Sequence, residues 1–522
     1  MNQIIFKMKK TIFHIGIFFA ALGLVTACDT FLDEMPDRRT EIDTNSKVGE
    51  LLVSAYPTVD PMMIYEHRTD NAMDNGKQYG TPDQTLVENY YWDDISDTSW
   101  DGPEMLWNSC YSAIAAANQA LEAIEQLGES DENRPFKGEA LLCRAYAHFL
   151  LVNTFCQPYN ASTAGNDPGI PYVEKPETVV GTTYERGTVQ TVYEKLAADI
   201  ETGYPLINDH AYKVTHYHFN KKAASAFATR FYLFYGKYDL ALRYADMTIE
   251  TNPSANLRDL KYYQSLTSIS EWRDRFISKD EPANIMLVAL RSRWGRTYRS
   301  QRYGVSTAIT SLLTYRSSGP WGNNALPDMG YLWSGSGSPI AYQPKYNEIF
   351  EITDQTARTG QPHVVQMAFT VDETLMCRAE ANIMLKNYEA AAQDLSYWYV
   401  KKGGKAATVE QIVAYYNARA ISEQAALAKG ELSPWLLMVK PFHTAFIVEA
   451  GTQERMLQGV LHARRIETMY SGLRWLDIRR YGIEVIHNVD EGTPMTLTHD
   501  DLRRVIQIPK AVISAGLPPN PR

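Results

Sequence analysis

The sequence has little cysteine and no excess of positive charge. Only 5 of its 522 residues are cysteine, which excludes a small disulfide-rich fold. Lys and Arg number 51 against 61 Asp and Glu, so the net charge of -10 provides no basic surface for nucleic acid. A composition of 45% hydrophobic and 21% charged residues excludes disorder and collagen, and it is typical of a globular protein with a sizeable core.

The N-terminus has the pattern of a secretory signal. Three lysines precede an apolar run over residues 12–25, and two small residues then precede Cys28. Fourteen helical residues extend about 21 Å, less than the roughly 30 Å core of a bilayer. A cysteine at this point resembles a bacterial lipobox, so we predict a signal peptide over residues 1–27 and a lipid anchor on Cys28. A cleaved ordinary signal with an incidental cysteine is the alternative, and Met8 is an alternative start.

The remaining cysteines lie in helical apolar patterns without CxxC spacing, which favours buried, reduced thiols. Neighbouring helices could still bring Cys110 and Cys143 together, so this one disulfide stays open. The others are Cys156 and Cys377.

Hydrophobic periodicity predicts helical hairpins. One face of the first predicted helix repeats at steps of four and three, through Trp107, Tyr111, Ile114, Asn118 and Leu121. A polar turn and a proline suited to a helix start separate it from a second helix of the same kind. We therefore predict helical repeat units around residues 107–157, 186–253 and 371–400.

The second and third units have tetratricopeptide spacing. Gly236, Tyr238 and Ala241 lie at the tetratricopeptide offsets, and Ala379 and Tyr388 take the corresponding places in the third unit. Small residues let such helices approach while aromatic residues fill the gaps, so these units stack into a solenoid. We predict a mainly α fold of this kind, with a loop-rich ligand region over residues 254–370 and a C-terminal segment over residues 401–522.

Aromatic residues are interleaved in two loop segments, around residues 88–107 and 315–339. Exposed Trp and Tyr rings can stack on sugar rings while amides and carboxylates bind the hydroxyls. Alternatively, these rings anchor long loops onto the helices. The candidate ligand-binding residues are Trp92, Asp94 and Trp100 for the first loop, and Trp294, Trp321, Asn323, Asn324, Tyr331 and Trp333 for the second.

Several segments resemble the SusD/RagB family of outer-membrane glycan-binding lipoproteins. They are CDTFLDEMPD from Cys28, WNSCYSAIAAANQAL from Trp107, the Arg-rich RRIETMYSGLRWLDIRRYG from Arg464, and the ending in Pro-Asn-Pro. The resemblance implies one SusD-like domain over residues 28–522, with four tetratricopeptide-like units supporting a loop-rich second half. It also implies an outer-membrane location and a TonB-dependent SusC-type transporter as partner.

We expect a non-catalytic, cell-surface protein that captures oligosaccharide, with a peptide or another nutrient as the alternative ligand. The sequence lacks GxSxG, HExxH, P-loop and GxGxxG motifs, and His216 and His218 have no third ligand nearby, so no cofactor or metal is expected. A helical glycoside hydrolase or lyase would need a carboxylate pair, and a structural scaffold would bind no small ligand. The carboxylates available are Asp93, Asp94, Asp97 and Asp101.

Overall fold

In a computed structural model of the chain, most of the regular secondary structure is helical. The structure describes residues 42–80, 82–177, 182–297, 302–314, 317–322 and 344–522. The predicted signal peptide, Cys28, Asn323, Asn324, Tyr331 and Trp333 lie outside the described residues. Among those described, no helix combines the length and the apolar character needed to cross a membrane.

Helices outnumber strands in the described chain, and most of them follow one another in runs without a strand between them. The helices are α1 (Asn45–Leu52), α2 (Met62–Glu66), α3 (Gln84–Tyr90), α4 (Pro103–Leu127), α5 (Arg134–Phe155), α6 (Val189–Leu206), α7 (Lys221–Phe234), α8 (Tyr238–Thr248), α9 (Leu260–Ser265), α10 (Ile269–Phe276), α11 (Trp294–Thr297), α12 (Thr307–Leu313), α13 (Val371–Met384), α14 (Tyr388–Lys401), α15 (Val409–Ala428), α16 (Thr452–Glu467), α17 (Leu473–Arg480) and α18 (Lys510–Ser514). The strands are β1 (Met73–Asp74), β2 (Asn284–Arg291), β3 (Tyr303–Gly304), β4 (Ile349–Asp354), β5 (Thr359–Thr370), β6 (Val485–His487) and β7 (Met495–Leu497).

Successive long helices pack against each other, and the mainly helical fold class predicted from periodicity is confirmed. Prolines near the starts of α4 and α5 fit positions whose N–H groups need no helical partner. Between α5 and α6, a Cβ added at Gly138 would lie 2.8 Å from the carbonyl oxygen of Gly203, and the reverse distance is 2.9 Å. Glycine at both positions therefore sets how closely these two helices cross.

The region between α10 and α13 contains a sheet that the sequence analysis did not predict. β2, β5 and β4 form an antiparallel sheet with β5 in the centre, and β5 runs directly into α13. Two further pairs, β1 with β3 and β6 with β7, are short. The expectation of a loop-rich region over residues 254–370 is thus corrected in part, because strands and short helices occupy much of its described portion.

The core contains buried ion pairs as well as apolar side chains. The cysteines Cys110, Cys143, Cys156 and Cys377 are buried and free, so the disulfide left open above is not formed. Asp70 lies among Lys440, Arg465 and Arg474. Two further networks centre on Glu380, with Arg464 and Arg480, and on Lys402, with Asp372 and Glu467.

These networks predict acid unfolding below about pH 4. Burial alone would raise the pKa of Glu380, but Arg480 and Arg464 outweigh it and hold the pKa at about 2. The pKa of Glu467 is likewise about 2, because Lys402 and Lys345 outweigh its burial. Both groups titrate near pH 4 in an unfolded chain, so each contributes about 3 kcal/mol to the free energy of unfolding. This contribution is present above about pH 4 and is lost as the pH falls towards 2.

Chemical denaturation followed from pH 6 to pH 2 tests this expectation. Asp60 acts in the opposite direction, because burial raises its pKa to about 6 and its protonation stabilises the fold as the pH falls from 6 to 4. Three buried histidines, His67, His148 and His487, oppose Asp60, because burial lowers their pKa to about 3 to 4 and their neutral forms stabilise the fold less and less as the pH falls below about 6.5. The free energy of unfolding is therefore expected to fall from pH 6 to pH 4, with Asp60 offsetting part of the loss, and to keep falling below pH 4 as the paired carboxylates are protonated. A free energy of unfolding that stayed constant from pH 4 to pH 2 would contradict the assigned ion pairs.

Candidate functional site

An arginine holds together the acidic loop that the sequence analysis considered as a possible catalytic cluster. Arg293 pairs with Asp83 at 2.9 Å, with Asp97 at 3.0 Å and with Asp101 at 3.2 Å. Asp101 also accepts a hydrogen bond from the backbone N–H of Arg293 at 3.1 Å. These three carboxylates are therefore oriented towards one shared cation, an arrangement that fixes the loop to the start of α11.

Three of the predicted ligand-binding tryptophans are buried anchors instead. Trp92 is 1% exposed, donates its indole N–H to the carbonyl oxygen of Arg68 at 3.1 Å and stacks on His487. Trp294 is fully buried and donates to the carbonyl oxygen of Tyr470 at 2.9 Å. Trp321 is fully buried as well. The prediction that these rings form a ligand surface is corrected, because a ring without exposed area cannot stack on a sugar.

The other predicted residues of the first loop remain accessible. Trp100 is half-buried, and it keeps part of its ring open to solvent. Asp94 is exposed and accepts hydrogen bonds from Arg522 at 2.7 and 2.9 Å, so it connects this loop to the end of the chain. Trp100 stays a candidate ligand contact, whereas Asp94 has a structural partner.

A recess lies on the outer face of α4. It is an open groove of about 910 Å³ between α4, residues 171–177 and 182–184, and residues 512–517 near the C-terminus. The size falls within the range of small-molecule sites, about 300 to 1,000 Å³. Its polar or aromatic lining residues are Trp107, Asn108, Tyr111, Ser112, Gln119, Lys175, Glu177, Thr182, Thr183 and Tyr184.

The periodicity of α4 explains the polar wall of this groove. The face predicted from the sequence is turned inward, with Trp107, Ile114 and Asn118 buried. The opposite side therefore exposes Asn108 and Ser112 and leaves Gln119 half-buried. Amide and hydroxyl groups at these positions offer both hydrogen-bond donors and acceptors along about three turns of helix.

Aromatic rings border the same groove. The Trp107 and Tyr111 rings lie 5.0 Å apart, and the Tyr111 hydroxyl donates to the carbonyl oxygen of Pro171 at 2.8 Å. Tyr184 stands half-exposed on the opposite wall, where burial and a hydrogen bond with Glu177 raise its pKa to about 12. Tyr184 is thus a neutral phenol at physiological pH, with ring area available to a ligand.

The protein is thus mainly helical, and its open groove is lined by aromatic rings, amides and hydroxyls. Comparison with known proteins gives the family. Residues 30–233 match the SusD-like family model described as starch-binding and associating with the outer membrane. This match confirms the resemblance of the sequence to the SusD/RagB family. This is a family of sugar-binding proteins associated with the outer membrane.

The relatives share the fold more than the sequence. The SusD-like protein P38 of Formosa agariphila is 23% identical over 287 residues, which are 52% of this chain and 50% of that protein. The alignment thus spans half of that relative's length. A crystal structure described as a putative sugar binding protein of Bacteroides vulgatus has a TM-score of 0.65 at 17% identity, covering 92% of this chain and 99% of that one. A SusD superfamily protein of Bacteroides thetaiotaomicron has a TM-score of 0.60 at 16% identity, covering 92% and 100%.

Proposed function

We propose that the protein is a non-catalytic lipoprotein on the cell surface that binds oligosaccharide in the groove on α4. The observation that carries this proposal is the combination of an accessible ring, Tyr184, with a line of amide and hydroxyl groups, Asn108, Ser112 and Gln119, on facing walls. Rings stack on the apolar faces of sugars, while amides and hydroxyls match the sugar hydroxyls. The sugar-binding character of the family supports this choice of ligand.

The cellular role extends this proposal. Cys28 would carry the lipid anchor, and the bound oligosaccharide would pass to a SusC-type TonB-dependent transporter in the outer membrane. Capture before transport requires release, so we expect affinities in the micromolar to millimolar range, about -8 to -4 kcal/mol.

Binding without catalysis is supported by the acidic loop. A glycosidase needs one carboxyl group that can be protonated and another free to act on the sugar. Asp97 and Asp101 are instead paired with Arg293, and Asp94 is paired with Arg522. A peptide ligand is the second candidate, because Lys175 and Glu177 place opposite charges on the groove.

The test compares Tyr184→Ala with Tyr217→Ala by affinity electrophoresis through gels containing different polysaccharides. Tyr217 is 51% exposed and lies outside the groove, so it is a matched control. Losing one stacked ring costs about 0.5–1.5 kcal/mol of binding free energy, so Tyr184→Ala should weaken binding about 2- to 12-fold. The Tyr217→Ala control should keep native retardation.

The Trp100→Ala variant tests the acidic loop as the alternative binding site. Retardation lost in Trp100→Ala and kept in Tyr184→Ala would move the glycan site to the acidic loop. Absence of retardation in every gel, together with calorimetric binding of oligopeptides that depends on Tyr184, would replace the sugar by a peptide.

A further inference from the structure

A second, much smaller cavity lies in the core, away from the groove. It is bordered by residues 438–440, one face of α16 and the start of α17, and its volume is about 10 Å³. That volume admits one particle of about the size of a water molecule. The polar side chains that line it are Lys440, Gln458, His462, Arg465 and Arg474.

Three of these lining side chains are cations. Among the described residues that line the cavity, none carries a carboxylate. Asp70 pairs with all three cations but does not line the cavity, so their positive charge faces the empty space without a negative group opposite.

Two further carboxylates, those of Glu66 and Glu423, interact electrostatically with Arg465, but both have other hydrogen-bond partners. Glu66 accepts hydrogen bonds from the backbone N–H groups of Tyr470 and Gly472. Glu423 accepts from Arg419 and from the N–H groups of residues 438 and 439. Asp477 acts electrostatically on Arg474, but it is paired with Arg464 at 2.8 Å and with Arg480 at 3.4 Å. Among the described residues, Asp70 is thus the one carboxylate that pairs with all three lining cations.

Two of the three lining cations, Lys440 and Arg465, have lowered pKa values, whereas, against the effect of burial, Asp70 raises the pKa of Arg474. Burial lowers the pKa of Lys440 to about 8 even though Asp70 opposes this, and Arg465 and Arg474 act in the same direction as burial. Burial likewise lowers the pKa of Arg465 to about 10. Both side chains would be stabilised in their charged forms by one more negative charge nearby.

A buried hydrogen-bonding group in the cavity wall also lacks a partner. His462 is 6% exposed, and its Nδ1 lies 2.9 Å from the Tyr416 hydroxyl. Within the described part of the chain, its Nε2 has no hydrogen-bond partner. Burial holds the pKa of His462 well below its ordinary value, so the ring is neutral, and when Tyr416 donates to Nδ1 the proton lies on Nε2 as a donor.

We propose that this cavity binds one monatomic anion, chloride under ordinary conditions, between Lys440, His462, Arg465 and Arg474. A chloride ion would place a negative charge in a cavity whose lining carries three cations and no carboxylate, and it would accept hydrogen bonds from Lys440 and His462. A chloride ion is only slightly larger than a water molecule, whereas sulfate, phosphate and carboxylates have several non-hydrogen atoms and are too large for a cavity of this size. The ion would also hold residues 438–440 against α16, because it would bind side chains from both.

Bromide provides a direct test on the unaltered mature chain. Crystals soaked in sodium bromide should show one anomalous scattering peak in the cavity, within hydrogen-bonding distance of Lys440 Nζ and His462 Nε2. In solution, replacing gluconate by chloride at constant ionic strength should raise Tm by about 1–3 °C for each tenfold increase in chloride. A cavity without an anomalous peak and a Tm indifferent to chloride would overturn the proposal and leave water as the occupant.

Two variants and a matched control assign the ion to these residues. Lys440→Met and His462→Phe should each abolish the chloride dependence of Tm and weaken the bromide peak. Lys345→Met removes another buried lysine, whose Nζ donates to the carbonyl oxygen of Glu467 at 2.7 Å, and it should keep both effects. Equal chloride dependence in all three variants would contradict the assigned site, and the bromide experiment decides even if a variant does not fold.

Discussion

Replacing Asp70 by asparagine is expected to lower the free energy of unfolding by about 3–5 kcal/mol, the range for breaking a buried ion pair from one side. Its carboxylate is fully buried and accepts from Lys440 at 2.8 Å and from Arg474 at 2.9 and 3.0 Å. Burial alone would raise the pKa of Asp70, but Arg465, Arg474 and Lys440 outweigh it and hold that pKa well below its ordinary value. Asparagine keeps the shape and removes the charge, so three cations lose their common partner.

The measurement is urea denaturation at neutral pH, with Asp94→Asn as the matched control. Asp94 also forms an ion pair, with Arg522, but its side chain is 51% exposed. Exposed pairs contribute about 0–1 kcal/mol, so the control should unfold close to the native midpoint. Equal stability of Asp70→Asn and the native protein would show that the buried cations are solvated or displaced, against the structure described above.

The helical scaffold could be predicted because its signal is local. The inward face of α4 follows from a period that is visible within some fifteen residues, and Trp107, Ile114 and Asn118 are buried as that period requires. The sheet of β2, β5 and β4 was missed because its pairing joins segments about 75 residues apart, such as Ala289 with Val365. Pairing over that distance leaves no periodic signal within a short window.

The candidate site could be predicted only in its chemistry, not in its position. Trp92 and Trp294 are bound by carbonyl oxygens of Arg68 and Tyr470, and nothing in the loop sequences indicates those distant partners. Arg293 is similarly separated by almost 200 residues from Asp97 and Asp101. The groove was missed because residues 512–517 complete a wall beside a helix that begins at Pro103.

Trp321→Ala is the second substitution with a large expected effect, a loss of about 3–5 kcal/mol in the free energy of unfolding. The Trp321 ring is fully buried, with the Tyr399 ring at 5.1 Å and the His462 ring at 4.9 Å between centroids. The backbone on the other side is equally close, since a Cβ added at Gly404 would lie 2.6 Å from the Cβ of Trp321. Alanine would leave a cavity that these neighbours fill only in part.

Trp100→Ala is the control that separates an anchoring ring from a ligand-binding ring. Trp100 is half-buried, so its truncation removes less apolar contact and should cost clearly less stability than Trp321→Ala in the same urea titration.

Polysaccharide binding is then measured below the temperature at which Trp321→Ala unfolds. An anchor predicts native affinity in the folded Trp321→Ala protein despite its low stability. Native stability combined with lost binding in Trp321→Ala would mean that the ring turns outward to meet the ligand, and its burial here would then be one of two states.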